Sequence, residues 1–293
     1  LSPVHELLFF ASLEEDGDLR GWLLLEHLDL WREWNSSPDH ALHGKVDMDA
    51  IAMIGHSRGG EAVAIAGAFN RLDAYPDDAT LAFDYDFGIR SIIAIAPVDR
   101  TYEPAGQPIH LQDINYLLLH GSHDMDVITV FGASQYARTE LTPGSHTFKA
   151  SLYIHGANHG QFNTDWGQKD FFEPVMRVYN LAQLIPGEDQ RQIGKTAISA
   201  FLGATLQGQD AYRAFFRDPR AGAAWLPETT LVSQYHDAAT AMLATYEEDV
   251  DPTTATVAGG TLTGEGLTLW HESHLPAKWE SRDNQVAALA WQA

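Results

Sequence analysis

Residues 51–60 read IAMIGHSRGG, and the residues after them, EAVAIAGAFNRL (61–72), have helical composition. A short apolar run that ends in glycine and leads into a helix-forming segment is a strand entering a helix through a tight turn. Gly55-His56-Ser57-Arg58-Gly59 fits G-x-S-x-G, with Gly60 adding a further small residue. The pattern has a mechanical reason. A serine on a sharp strand-to-helix turn sits in a strained backbone conformation with its hydroxyl presented. Small residues two before and two after it let strand and helix pass closely. The helix that follows aims its first amides at developing negative charge. Taken alone the pattern is weak, because Gly and Ser are common. The competing reading is an ordinary turn in which Ser57 only caps the helix.

Further along, SIIAIAPVD (91–99) reads as a buried strand by its Ile/Ala content and its Pro stop. NYLLLHG (115–121) and ASLYIHGANHG (150–160) are two more apolar runs ending in Gly. DVITVFGASQYART (126–139) reads as a helix between them, with Asp126 as its cap. Strands alternating with helices and buried on both faces predict an α/β fold with a parallel sheet. Upstream, 2–17 reads as a helix with Ser2 as cap and Gly17 as stop, and 18–35 as a second helix with Leu19, Trp22, Leu23, Leu30, Trp31 and Trp34 to one side. Residues 172–216 read as helical with a break at LIPGED. Beyond Asp218 the chain turns rich in Thr, Val, Gly and Trp. The expected organisation is therefore a catalytic α/β domain over 1–218 and a small, incomplete β-rich unit over 219–293.

The formal net charge of −22 argues against nucleic acid, which calls for a basic surface, and against adhesion to anionic lipid. A hydrophobic content of 45% is that of a folded globular protein, so disorder is not expected. No apolar run reaches membrane-spanning length. With no cysteine there is no disulfide and no thiolate metal site. The chain opens on Leu1, and LSPVHELLFF lacks the basic start and cleavage site of a signal peptide, so Leu1 is not expected to be the start of the gene product.

A serine needs a base, and the base needs an orienting acid. HGSHDMDV places Asp124 just past the strand 115–121, and GANHG places His159 just past the next. Ser57, Asp124 and His159 thus each follow an apolar strand, where ligands and catalysis gather in parallel sheets. Asp126 and Asp99 are the alternative acids. His155 sits within a strand and suits the core, while His120 and His123 flank the acid loop. The His155/His159 spacing of four suits zinc on a helix, but GAN is a poor helix and no H-E-x-x-H glutamate is present. Asp77, Asp78, Asp84 and Asp86 lack the spacing of a calcium loop and read as solvated.

GHSRGG, HGSHDMDV and GANHG resemble the nucleophile elbow, acid loop and histidine loop of the α/β-hydrolase superfamily. Within it they look most like the group of dienelactone hydrolase, platelet-activating-factor acetylhydrolase and bacterial cutinase/polyester hydrolases. The resemblance covers roughly 19–184. It implies Ser57 as nucleophile, Asp124 as acid, His159 as base and the Arg58 amide as one oxyanion donor. It also implies a serine esterase with an acyl-enzyme intermediate, no metal or organic cofactor, a small or polymeric ester as substrate and a secreted bacterial setting. Two departures stand out. The superfamily has strands before the nucleophile strand, whereas the fifty residues before Ile51 read as helices. The first half of the sheet and the second oxyanion donor are therefore expected from upstream sequence or another chain; losing one such donor costs about 100- to 1,000-fold in rate. Arg58 also stands where polyester hydrolases often carry Met.

His56, Tyr102, Phe162 and Trp166 are the candidates to line a substrate groove, although loop aromatics more often only pack. Two rival functions remain in view. A prolyl-oligopeptidase-like peptidase shares the triad order, and a non-catalytic hydrolase-fold binding protein could use Trp225, Trp270, Trp279 and Trp291 on its β-rich part.

Overall fold

A computed structural model describes residues 17–170, 181–276 and 281–292. It divides into two compact units, Leu1–Ala238 and Ala239–Ala293. The expected helix over 2–17 lies outside the described residues except for Gly17, which falls in helix α1 (Gly17–Ser36).

The first unit is built on a five-stranded sheet. From α1 the chain passes through turns to β1 (Ile51–His56) and then α2 (Arg58–Phe69). The short β2 (Ala74–Tyr75) and β3 (Asp78–Ala82) form a hairpin, and β4 (Ile89–Ile95) returns to the sheet. After β5 (Leu111–Gln112) come β6 (Asn115–Gly121), α3 (Gly132–Arg138), β7 (Thr139–Glu140), which pairs with β5, and β8 (Phe148–Ile154). Helices α4 (Gly187–Leu206) and α5 (Arg213–Arg217) follow, and β9 (Leu231–Asp237) closes the sheet in the order β1-β4-β6-β8-β9. β1, β4, β6 and β8 run parallel, and β9 pairs antiparallel with β8 from Phe148↔Asp237 to Ile154↔Leu231. The fold is mixed α/β with a mostly parallel central sheet. Among the described residues β1 pairs with β4 alone.

Continuous apolar runs form the central strands β4 and β6 because both of their faces are covered. On β4, Ile92 and Ala94 enter the core under α1 and α2, while Ile93 enters a second core with Phe201 and Phe216. β6 alternates likewise, with Tyr116 and Leu118 on one side and Leu117 and Leu119 on the other. Each such fully buried Leu or Ile contributes about 1.5–3 kcal/mol. This two-sided packing fixes the register of the sheet and so the height at which each strand ends.

Two boundaries differ from expectation. The β-rich composition after Asp218 does not start a separate unit at 219. Tyr235 of β9 stacks on Phe148, with ring centroids 5.4 Å apart, and Leu231 packs in the cluster of Ile154 and Ile193, so β9 belongs to the main sheet. The second unit begins at Ala239 and holds an antiparallel pair, β10 (Leu267–Pro276) and β11 (Ser281–Trp291). The helix expected over 126–139 is confined to α3, and of the helical reading of 172–216, residues 172–180 lie outside the described set. Among the described residues no helix is long and apolar enough to cross a membrane.

Candidate active site

β1 delivers Ser57 to the carboxyl edge of the sheet. Its N–H donates to Ile95 O at 2.9 Å, and its backbone stands at φ 58°, ψ −126°. A non-glycine residue there carries strain of order 1–3 kcal/mol and persists only where its surroundings impose it. A Cβ on Gly55 would lie 1.9 Å from Gly59 O, and one on Gly60 would lie 2.7 Å from Pro97 Cβ. A Cβ on Gly59 would meet nothing within 4 Å. The close approach therefore rests on Gly55 and Gly60, and the role expected for Gly59 falls one residue later. Arg58 is the first residue of α2, so its amide is among those a helix start leaves without an intrahelical partner. Its side chain is exposed.

Asp124 follows β6 and His159 follows β8. Asp124 Oδ2 lies 2.8 Å from His159 Nδ1, both side chains being 1% exposed. Asp124 Oδ1 accepts the N–H groups of Asp126 (3.0 Å) and Val127 (2.7 Å). The turn-capping work expected of Asp126 is thus done by Asp124, which leaves the Asp126 carboxylate free to reach 3.5 Å from His159 Nε2. Nε2 is buried and makes no hydrogen bond, so Ser57 Oγ is not bonded to it. Catalytic hydrogen bonds of this kind are often long without substrate and tighten once it binds.

The ring of His56, the residue before Ser57, lies 4.5 Å from that of His159. The Trp166 ring is 5.9 Å from His159 at 17° and 5.3 Å from His56, and Phe162 is 6.0 Å from His56. Three of the four groove candidates therefore gather around the imidazole, with Trp166 55% exposed. Tyr102 does not join them. Its ring packs edge-on against Phe69 at 5.7 Å and its hydroxyl donates to Asp77 at 2.8 Å, which ties it to the core under α1 and α2.

The two neighbouring histidines are shifted in opposite directions. Burial, with His159 alongside, pulls His56 down to about 4, so it is neutral near pH 7. Burial also pulls His159 down, but the hydrogen bond and charge of Asp124, with the charges of Asp126 and Asp170, outweigh it and hold the imidazole above its ordinary value. That is the electrostatic setting of a base that must stabilise a proton once it has taken one.

The remaining candidates go elsewhere. Asp99 pairs with Arg138 at 2.5 Å. His123 bonds Ser122 Oγ and Gln183 Oε1, and His155 sits against His123, with ring centroids 5.7 Å apart. Asp78 caps Thr80 in the β2–β3 hairpin. A cavity of about 570 Å³ lies between α4 and the 211–225 segment, with Lys195, Tyr212 and Trp225 in its wall; Ser57, Asp124 and His159 are not among its lining residues.

Sequence reasoning missed a shell of polar residues behind His159. Gln190 of α4 accepts the Asn158 N–H at 3.0 Å and donates to its carbonyl at 2.7 Å, and Asp170 bonds Asn158, His159 and Gly160. Nothing in their spacing marks them, since each acts across a distance in the chain that no motif records. Compared with known proteins, the chain matches no family model and shows no significant similarity to a curated protein.

Proposed function

We propose that the chain is a serine hydrolase that cleaves carboxylic esters through an acyl-enzyme intermediate. The observation that carries this reading is the buried 2.8 Å Asp124–His159 pair, 4.5 Å by ring centroids from His56, the residue before a serine held at φ 58°. His159 Nε2 takes the Ser57 Oγ proton as Oγ attacks the ester carbonyl, and Asp124 keeps the proton on Nδ1 and stabilises the imidazolium. The oxyanion forms near the amide of Arg58 at the start of α2. Collapse expels the alcohol, which takes the proton from Nε2. Water, deprotonated by the same nitrogen, then attacks the acyl carbonyl, and collapse releases the acid as Ser57 Oγ takes the proton back from Nε2.

The surroundings favour an uncharged substrate. His56 and Trp166 stand beside the base with Phe162 behind His56, an uncharged aromatic wall, and the Asp126 carboxylate near Nε2 repels an anionic group. The resemblance of the three loops to polyester hydrolases favours esters over amides.

Fluorophosphonate labelling of the chain and of Ser57→Ala, followed by turnover of short- and long-chain p-nitrophenyl esters, tests the reading. Labelling of the wild type that disappears in the variant, with ester turnover, is expected. A folded wild type that takes no label overturns it.

A further inference from the structure

Asp170 lies outside the triad, yet each of its carboxylate oxygens accepts two hydrogen bonds. Oδ1 takes Asn158 Nδ2 at 2.6 Å and the Gly160 N–H at 2.8 Å. Oδ2 takes the Met125 N–H at 3.0 Å and the His159 N–H at 2.9 Å. Four donors use the full acceptor capacity of one carboxylate. What matters is where those donors sit. Met125 directly follows Asp124 on the acid loop, while His159 and Gly160 belong to the histidine loop. The His123 N–H bond to Ala157 O, 2.8 Å, joins the two loops at their base. Asp170 joins them where the acid and the imidazole stand.

The donor set also explains why an acid is needed. Three of the four donors are backbone amides, which no side-chain substitution supplies or removes, so the residue facing them must offer acceptors alone. Burial pushes the Asp170 carboxyl above the ordinary carboxylate range, against the bonds from His159, Met125 and Gly160 that favour the ionised form. The titratable groups facing His159 are His56 from the end of β1, Asp124 and Asp126 from the acid loop, and Asp170.

We infer that Asp170 is a positioning residue that, as a carboxylate, clamps the acid and histidine loops together and so sets the alignment of Asp124 with His159. The inference rests on the serine-hydrolase reading for its catalytic consequence, while the clamp itself is a property of the two loops. Asp170→Asn preserves volume and leaves Oδ1 to accept from Asn158 and Gly160. Its Nδ2 then faces the Met125 and His159 N–H groups, donor against donor, so both bonds at the loop tips are lost.

The experiment compares wild type and Asp170→Asn, with active sites counted by fluorophosphonate titration. Per titrated site, kcat is expected to fall about 100-fold, the usual cost of a misplaced catalytic group, while KM for a p-nitrophenyl ester stays within about threefold. The acid limb of kcat/KM moves to lower pH, because a negative charge near His159 is gone. The low-field proton signal of His159 Nδ1–H, bonded to Asp124, shifts or broadens in NMR spectra. An unchanged kcat per site with an unchanged limb and signal overturns the inference, even if the melting temperature falls. If Asp170→Asn does not fold, Asn158→Ala removes one of the four donors. A loss of about tenfold in kcat per site is then expected, in keeping with a partial misplacement, and no loss with an unchanged Nδ1–H signal overturns the inference. If the wild type takes no label, the enzyme reading fails by itself, and the clamp is decided by the Nδ1–H signal and the NMR titration of His159.

Discussion

The nucleophile turn and the pair of loops facing it solve the same problem, holding one side chain at the sheet edge, by different physics. The turn is held by sterics within a few residues. Gly55 has no room for a Cβ against Gly59 O, and Ser57 takes a positive φ because the strand must turn at once into α2. The two loops are held by polar contacts between residues far apart in sequence: Met125 to Asp170, Asn158 to Gln190, Asp124 to His159. A steric constraint admits few residue types and leaves a pattern. A hydrogen-bond constraint can be met by many residues from many positions and leaves none.

The comparison is broken most severely at Asp124. In Asp124→Asn, Oδ1 still accepts from Asp126 and Val127, so the loop keeps its turn. The amide then donates to His159 Nδ1 and forces the proton onto Nε2, the wrong tautomer for a base. Steady-state kinetics are expected to show kcat reduced about 10,000-fold, as when a triad carboxylate becomes an amide, with little change in thermal stability. A loss of tenfold or less would mean that the Asp124–Nδ1 bond does not set the tautomer of the base.

The turn answers with stability instead of rate. In Gly55→Ala the new methyl group meets a backbone carbonyl oxygen at 1.9 Å, which no rotamer relieves. A loss of more than about 4 kcal/mol in urea unfolding, or failure to fold, is expected. Gly59→Ala has open space and lies in the first turn of α2, so it should change stability by no more than about 1 kcal/mol, in the stabilising direction. Equal losses at the two positions would mean that the turn is not held by the contact at Gly55.

The same division accounts for what could be read from the sequence. The runs IAMIG, NYLLLHG and ASLYIHGANHG were legible because each is continuously apolar up to a glycine, and for 115–121 burial on both faces demands it. With the strands located, chain order alone placed Ser57, Asp124 and His159 at their ends. Tyr102 was read as a groove residue because a loop aromatic carries no mark of the face it packs on, and its ring packs on Phe69. The boundary expected at 219 failed for a related reason. Composition records that 231–237 is a strand but not which sheet it joins, and its partner β8 lies about eighty residues earlier. Lys149 was equally hidden. It sits on a core strand because its Nζ reaches the carbonyls of Tyr136 and Thr139 at 2.8 and 2.7 Å, and burial lowers its pKa to about 8.

The smallest effect is expected at Asp126, which touches the base through space without sharing the clamp. Its carboxylate is one of three negative groups that raise the His159 pKa, and at 46% exposure it is the one most open to salt. The imidazole must be neutral to accept the Ser57 proton. In Asp126→Asn the folded enzyme holds its proton on His159 less tightly, so the neutral base persists to lower pH. The acid limb of kcat/KM should move down while the rate well above the limb changes by less than about threefold, in line with the small worth of a solvent-exposed charge pair. At 1 M salt the wild-type limb should drift toward that of the variant, because the screening length is then about 3 Å. Turnover of an ester bearing a free carboxylate should rise in the variant relative to a neutral ester of the same length. A limb that stays in place at both salt concentrations would assign the raised pKa to Asp124 and Asp170. The electrostatics of the base would then be set, like its geometry, by the buried contacts of the two loops.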